Sequence, residues 1–300
     1  MTATLDRPLV SNGFTLDMRP ERLGRLEPTD PSKPMGELRE QFRAQGYLWL
    51  KGILPRAEVL GFRRHFFTRL AEAGALAPGS DPVEGRFSGQ ENRQLAAKLL
   101  IELVRTAAYE SFCLMPQIWR FYEAFLEGDP YLHKRKLIRH TLPGDPTCTG
   151  AHYDLVYLRA GTDKVCTSWI PIGDTPVEMG GLVYLEGSDK LGREMEAEFS
   201  IKNAELTPEE RINAFNKNMG STGWLTKDLP ALANRLNSRW LMADYEAGDM
   251  VIHSAYMLHA ATTNEDPEGR MRLSTDIRYQ RVRDEIDIRW QNHWSYDDML

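Results

Sequence analysis

The chain has 300 residues, with 37 Lys and Arg against 43 Asp and Glu, a formal net charge of −6 at pH 7. This mild acidic balance excludes nucleic acid as the main partner, since phosphate binding needs clustered Lys and Arg. The 42% hydrophobic and 10% aromatic content excludes chain-wide disorder. Three scattered cysteines, Cys113, Cys148 and Cys166, exclude a disulfide framework or a cysteine-based zinc site and suit a reducing compartment.

Residues 1–20 lack the apolar core of a secretory signal, and no stretch approaches the roughly 18 apolar residues that span a bilayer. The expectation is a cytoplasmic monomer or homodimer with a small-molecule partner and neither a membrane nor a nucleic-acid partner. Residues 1–33 are rich in Pro, Arg and Asp and read as an extended arm, because Pro20, Pro28, Pro31 and Pro34 block a helix. A helix is expected over 35–45, stopped by Gly46, then a buried strand over 47–50. Pro55 opens a second helix to about residue 73, with Val59, Phe62, Phe66 and Leu70 at helical spacing. Residues 78–90 read as a loop, and 91–127 as helical with a break near Pro116.

After Pro130 the texture changes to short strand-like runs at 136–142, 152–158, 165–172 and 182–185, separated by turn residues. Residues 193–237 form a polar insert with helices, one opening at Thr207-Pro208-Glu209-Glu210. Strands resume at 250–253 and 272–279, and the tail (280–300) carries Trp290 and Trp294. The pattern predicts a helical front half packed on a β-barrel back half, as one domain spanning 1–300.

His152-Tyr153-Asp154 is the sharpest local feature. On a strand, residues i and i+2 share a face, so His152 and Asp154 would project together as two of the three ligands of a 2-His-1-carboxylate site. A surface His–Asp pair gives the same triplet, so a third ligand is needed. His65 reads as a helix-surface residue, His133 and His293 as surface loop residues, and His140 as core or second shell. His253 and His259 remain, and spacing does not choose between them. Further on, alternation puts Arg272, Ser274, Asp276 and Arg278 on one face of a strand and Leu273, Thr275, Ile277 and Tyr279 on the other. A half-exposed strand would show the same pattern. Inside a barrel, however, an arginine offers a planar fork that matches a carboxylate.

The whole set resembles the phytanoyl-CoA dioxygenase family of Fe(II)- and 2-oxoglutarate-dependent oxygenases. The resemblance rests on Gly46-Tyr47-Leu48-Trp49-Leu50-Lys51-Gly52, His152-x-Asp154, Trp169, Gly180-Gly181-Leu182, Gly187-Ser188-Asp189-Lys190, the Gly248-Asp249…His253…His259 segment and Arg272, over about 37–280. It implies a mainly β fold, a double-stranded β-helix (jelly-roll, cupin-like) barrel with flanking N-terminal helices and a helical insert. It implies His152, Asp154 and His259 as iron ligands, and Arg272 with Ser274 at the cosubstrate carboxylate. Trp169, and more weakly Thr167, would line the cosubstrate pocket. The implied cofactors are Fe(II), 2-oxoglutarate and O2, with ascorbate as an accessory reductant. The implied reaction is oxidation of a small metabolite with release of succinate and CO2. Related halogenases carry Gly or Ala at the carboxylate position, so Asp154 points to hydroxylation or another halide-free oxidation. Two departures stand out: Met179 where Asn is frequent, and Asp189 where His is frequent.

Two other readings use the same His/Asp/His set: a zinc-dependent hydrolase and a non-catalytic ligand-binding relative. The hydrolase does not need Arg272-x-Ser274, and the intact metal and cosubstrate residues argue against the non-catalytic relative. No basic cluster suits a coenzyme A phosphate, and the many aromatics favour a small, fairly apolar secondary metabolite. The loop at 78–90, the insert at 193–237 and the tail are the candidate lid.

Overall fold

In the computed structural model, which describes residues 7–213 and 223–295, an Asn12-Gly13 turn with both φ angles positive joins β1 (Val10–Ser11) to β2 (Phe14–Thr15). The arm then supplies β3 (Leu23–Arg25) to a sheet, so it is extended but docked. Gly46, at φ +78°, ends α1 (Met35–Gln45), and β4 (Tyr47–Leu50) follows at once. After α2 (Arg56–Leu70) the region expected as helical with one break has two. Thr106 caps a separate helix, giving α3 (Arg93–Leu103), α4 (Ala107–Cys113) and, from Pro116, α5 (Pro116–Leu126).

The remaining elements are β5 (Pro130–Leu132), β6 (Leu137–Thr141), α6 (Leu155–Leu158), β7 (Cys166–Pro171), β8 (Leu182–Leu185), α7 (Ser188–Lys202) and α8 (Pro208–Asn213). They are followed by α9 (Leu229–Leu236), β9 (Trp240–Met242), β10 (Met250–Ser254), β11 (His259–Ala261) and β12 (Arg272–Arg281). The α8 start is the expected capping box: Thr207 Oγ1 accepts from the Glu210 amide, and Glu210 Oε2 accepts from the Thr207 amide. Residues 214–222 of the expected insert lie outside the described residues.

One sheet has the order β4-β10-β7-β12-β5, with β6 also on β12; the other is β11-β8-β9-β3. Each packs one face on the other through Tyr47, Trp49, Trp169, Tyr184, Leu241, Tyr245 and Val251. Helices α1–α5 cover the outer face of the larger sheet, burying Phe66, Phe67, Tyr109 and Tyr122 against Ile138, Ile170, Leu273 and Tyr279. This explains β12. Its apolar face meets helices (Tyr279 stacks on Tyr122 at 4.2 Å, and Thr275 Oγ1 bonds Tyr109 at 2.5 Å), while its polar face looks between the sheets. Among the described residues no helix is long and apolar enough to cross a membrane.

Two expectations need correction. Residues 152–158 are not a strand: only Ala151 and His152 make isolated bridges, after which Asp154 turns into α6 with φ −67° and ψ −27°. His133 is not at the surface. It is 1% exposed, with Nε2 2.8 Å from Gln280 Oε1, because Trp290 folds back over it.

Burial lowers the His133 imidazole to about 4. The folded state therefore binds fewer protons than the unfolded one between the free value near 6.5 and 4, and stability falls as pH drops through that window. Urea unfolding of wild type and His133→Gln should show an acid-side loss of roughly 3 kcal/mol that the variant reduces. A second prediction concerns Gly192 in α7, where an added Cβ would lie 2.1 Å from the Tyr256 carbonyl oxygen. Alanine gains about 1 kcal/mol of helix propensity, but the backbone clash outweighs it, so Gly192→Ala should lower stability by roughly 2 kcal/mol in the same assay.

Candidate metal centre

The two histidines of the site form a backbone pair. The His152 amide donates to the His259 carbonyl (3.1 Å) and the His259 amide to the His152 carbonyl (2.9 Å), joining the 150–154 segment to β11. Their rings lie side by side with centroids 4.3 Å apart. Each Nδ1 bonds the carbonyl two residues back, Gly150 and Met257 respectively, both at 2.9 Å. That bond places the proton on Nδ1 and leaves each Nε2 lone pair free. Burial holds both imidazoles below their usual range, so they are neutral at pH 7, the form that binds metal.

Asp154 enters from the turn into α6, whose first amide donates to the Ala255 carbonyl. Its Oδ1 stands 3.7 Å from both Nε2 atoms, and the three ligand atoms lie within 4.8 Å of one another. The other oxygen, Oδ2, is caged. It accepts from Thr167 Oγ1 and from Arg278 Nη2 at 3.1 Å, while His253 Nε2 stops 3.6 Å away, beyond hydrogen-bond reach. Burial pushes this carboxyl up, but the Arg278 guanidinium beside it outweighs burial and holds it well below the usual carboxylate range. Oδ1 is buried with no hydrogen-bond donor. A buried carboxylate oxygen facing two imidazole lone pairs is satisfied by a cation, so the donor set fits a divalent metal of the facial-triad type.

The two candidates for the third ligand thus separate. His259 faces the triad centre, while His253 bonds Tyr184 OH through Nδ1 at 3.0 Å and backs Asp154. Thr167, expected near the cosubstrate, directs its hydroxyl proton to Asp154. Trp169 sits in the layer between the sheets, 4.7 Å from the Tyr245 ring.

Arg272 and Ser274 lie along the same face of β12. Arg272 is 4% exposed; it donates through Nη1 to the Gly180 carbonyl and through Nη2 to Thr141 Oγ1 (2.9 Å), while its Nε and the Ser274 hydroxyl are buried without partners. Burial lowers this guanidinium to about 10, so it stays charged at neutral pH. Two orphaned donors on one face of β12 fit a carboxylate. Gly180 explains the Gly-Gly-Leu motif: at φ +78° a Cβ would meet the Thr262 carbonyl oxygen at 2.4 Å, and its own carbonyl receives Arg272. Of the two departures, Met179 is a buried turn residue. Asp189 accepts from Ser254 Oγ and from Arg193 Nε (2.8 Å), fastening α7 to the end of β10.

Arg139, Thr141, Cys148, Trp224 and Arg272 line a cavity of about 460 Å³. Neither this cavity nor a larger hollow of about 770 Å³, beside Arg159, Glu196, Phe199 and Tyr256, is lined by a triad residue. Sequence reasoning gave no role to Arg139, Tyr157 or Arg278, and reached Trp224 only as one of the aromatics and as part of the 193–237 candidate lid. Arg278 alone carried a signal, its place on the polar face of β12. Trp290, expected near a lid, instead lies behind the site, 4.8 Å from the Arg278 guanidinium; Trp294 reaches the 460 Å³ cavity.

The chain is 26% identical over 243 residues to a 1-deoxypentalenic acid 11-beta-hydroxylase of Streptomyces arenae, covering 78% of this chain and 77% of that protein. Its fold is similar to that of the epimerase SnoN solved with Fe3+, alpha ketoglutarate and nogalamycin RO (TM-score 0.52, 18% identity, 83% and 84% of the two chains). It is also similar to EctD from S. alaskensis solved with 2-oxoglutarate and 5-hydroxyectoine (TM-score 0.53, 13% identity, 91% and 88%). The model of the phytanoyl-CoA dioxygenase (PhyH) family matches residues 42–272. Triad, fold and family match agree, and the chain belongs to the phytanoyl-CoA dioxygenase family.

Proposed function

We propose that this chain, an Fe(II)- and 2-oxoglutarate-dependent oxygenase, hydroxylates a small carbocyclic secondary metabolite. The convergence of His152, Asp154 and His259 carries the reading. The two facing sheets are read as the halves of a double-stranded β-helix, and the chain as a single domain. When bound, iron and 2-oxoglutarate supply oxidative decarboxylation to succinate and CO2 and the power to remove a substrate hydrogen.

The protein's part is placement. His152, Asp154 and His259 would hold the metal. Arg272 Nε and Ser274 Oγ would hold the distal carboxylate of the cosubstrate. Thr167 and Arg278 keep Asp154 on one oxygen by occupying the other, and His253 buttresses it. The strap at 223–228 is the best candidate for a lid. It lies antiparallel to the ligand segment, with Ala151 and Thr226 exchanging a bridge, and Trp224 packs over Gly150. The unpartnered Arg272 Nε and Ser274 Oγ favour this reading over a hydrolase, which has no use for them.

Oxygen uptake with Fe(II) and 2-oxoglutarate, and product analysis with 1-deoxypentalenic acid as the first substrate tried, test the reading. Asp154→Ala should abolish substrate-coupled succinate formation; normal hydroxylation by that variant sinks the assignment. Thr167→Val should weaken metal binding roughly 10- to 100-fold, measured by competition with a chelating dye, because the carboxylate loses its orienting donor.

A further inference from the structure

We propose that Tyr157 is a positioning residue of the metal centre: the strap at 223–228 holds its ring, and its ring holds the His152 imidazole. The strap thereby acts on one metal ligand and not on the other. The inference rests on the reading of His152, Asp154 and His259 as a metal centre and adds the elements that steady it.

The two histidine ligands are steadied differently. A bond from Nδ1 to a backbone carbonyl fixes one point of each ring and lets the ring pivot about it. His259 is then bounded by three rings, with centroids at 4.3 Å (His152), 4.4 Å (His253) and 6.0 Å (Tyr184). The last two stand on the strands β10 and β8. Among the described residues His152 has two ring neighbours, His259 and Tyr157, the latter edge-on at 5.8 Å and 70°. That separation lies in the range where aromatic edges and faces attract. Tyr157 belongs to α6, outside both sheets, with its amide on the Asp154 carbonyl at 3.0 Å.

The strap supplies what the sheets do not. The ligand segment is paired on both edges, His152 with His259 on one and Ala151 with the strap on the other. There the Ala151 amide donates to the Thr226 carbonyl (2.9 Å) and the Leu225 amide to the Ala151 carbonyl (2.8 Å). Two glycines let the chains close up, each making room for the other's aromatic. A Cβ on Gly150 would lie 2.9 Å from the Trp224 ring, and a Cβ on Gly223 would lie 2.8 Å from the Tyr157 hydroxyl oxygen and 2.9 Å from its ring. Gly223 also sits at φ +72°, where a side chain is strained. The Trp224 indole donates to the Tyr157 hydroxyl, and Phe199 of α7 packs on the same ring. At the other end, the Tyr157 carbonyl accepts from Arg289 Nη2 at 2.9 Å and Trp290 Nε1 at 3.2 Å. The tail thus pins the backbone of Tyr157, and the strap pins the ring edge-on to His152.

Two measurements test this: Mn(II) affinity by competition with a chelating dye, and hydrogen exchange of the 224–228 segment by mass spectrometry. Tyr157→Leu should bind Mn(II) roughly tenfold or more weakly. Tyr157→Phe, whose ring Gly223 still backs, should stay within about threefold of wild type. By reciprocity Mn(II) should slow exchange of the strap roughly fivefold or more in wild type and leave it unchanged in Tyr157→Leu. Phe112→Leu, in the helical core where Phe112 stacks on Phe62, should lower Tm and move neither measurement. The proposal is overturned by Tyr157→Leu binding Mn(II) within threefold of wild type, by Tyr157→Phe failing as badly as Tyr157→Leu, or by metal protection of the strap that survives in Tyr157→Leu. An equal loss of affinity in Phe112→Leu assigns the effect to stability and overturns it too. Should Tyr157→Leu not fold, Gly223→Ala, which sets a methyl group against the Tyr157 ring, carries the test: its Mn(II) affinity should also fall, and wild-type affinity there overturns the proposal. Failure of wild type to bind Mn(II) at all sinks the metal-centre reading, and this inference with it.

Discussion

The reciprocal backbone pair between His152 and His259 is the constraint on which the site depends. Two residues that exchange both amide bonds across an antiparallel pair sit about 5.5 Å apart at Cα with side chains on one face. Here that pairing aligns two imidazoles whose tautomers are set by the same local device, a bond to the carbonyl two residues back. Asp154 reaches the same point because the chain leaves the pairing immediately and turns into α6. Had the strand continued, Asp154 would have stood two residues, about 7 Å, further along the sheet.

The second organising fact is a buried charge cluster that is complete only with a cation. Asp154 keeps one oxygen for Thr167 and Arg278 and the other for the triad centre. An unsatisfied buried charge costs several kcal/mol, so the folded chain holds part of its stability in reserve for the metal. A ligand that binds only the folded state stabilises it by about 2.7 kcal/mol at a hundred times its dissociation constant. Metal loading and folding are therefore linked in this protein through one carboxylate oxygen.

Much of this was legible in the residues, for unequal reasons. The alternation in β12 survived because both faces are buried: one meets helices and the other a polar interior, so hydropathy still alternates. The His152–Asp154 pair was legible as a motif, yet the strand geometry invoked for it does not exist; long-range pairing with β11 and the turn into α6 do that work. Arg139 was not legible, and Trp224 only as one aromatic within the 193–237 candidate lid. The first owes its position to the register of β6 on β12, the second to the bridge between Ala151 and Thr226, and neither leaves a local periodic trace. His133 misled because a loop-flanking histidine reads as exposed unless the return of Trp290 over it is known.

Arg63 gives the frame a brace from its helical side. This buried guanidinium in α2 has no counter-ion among its hydrogen-bond partners; it donates instead to four backbone carbonyls, those of Val83, Glu84, Ile172 and Met271. Two of these adjoin the end of β7 and the start of β12, and Met271 immediately precedes Arg272. A lysine there could not reach four acceptors in a plane. The helical shell thus holds the end of β7 and the start of β12, and α4 holds β6 beside them, through Tyr109 on the Leu137 carbonyl. The place of Arg272 is therefore set from outside the sheets, by a helix that touches neither the triad nor the space between the sheets.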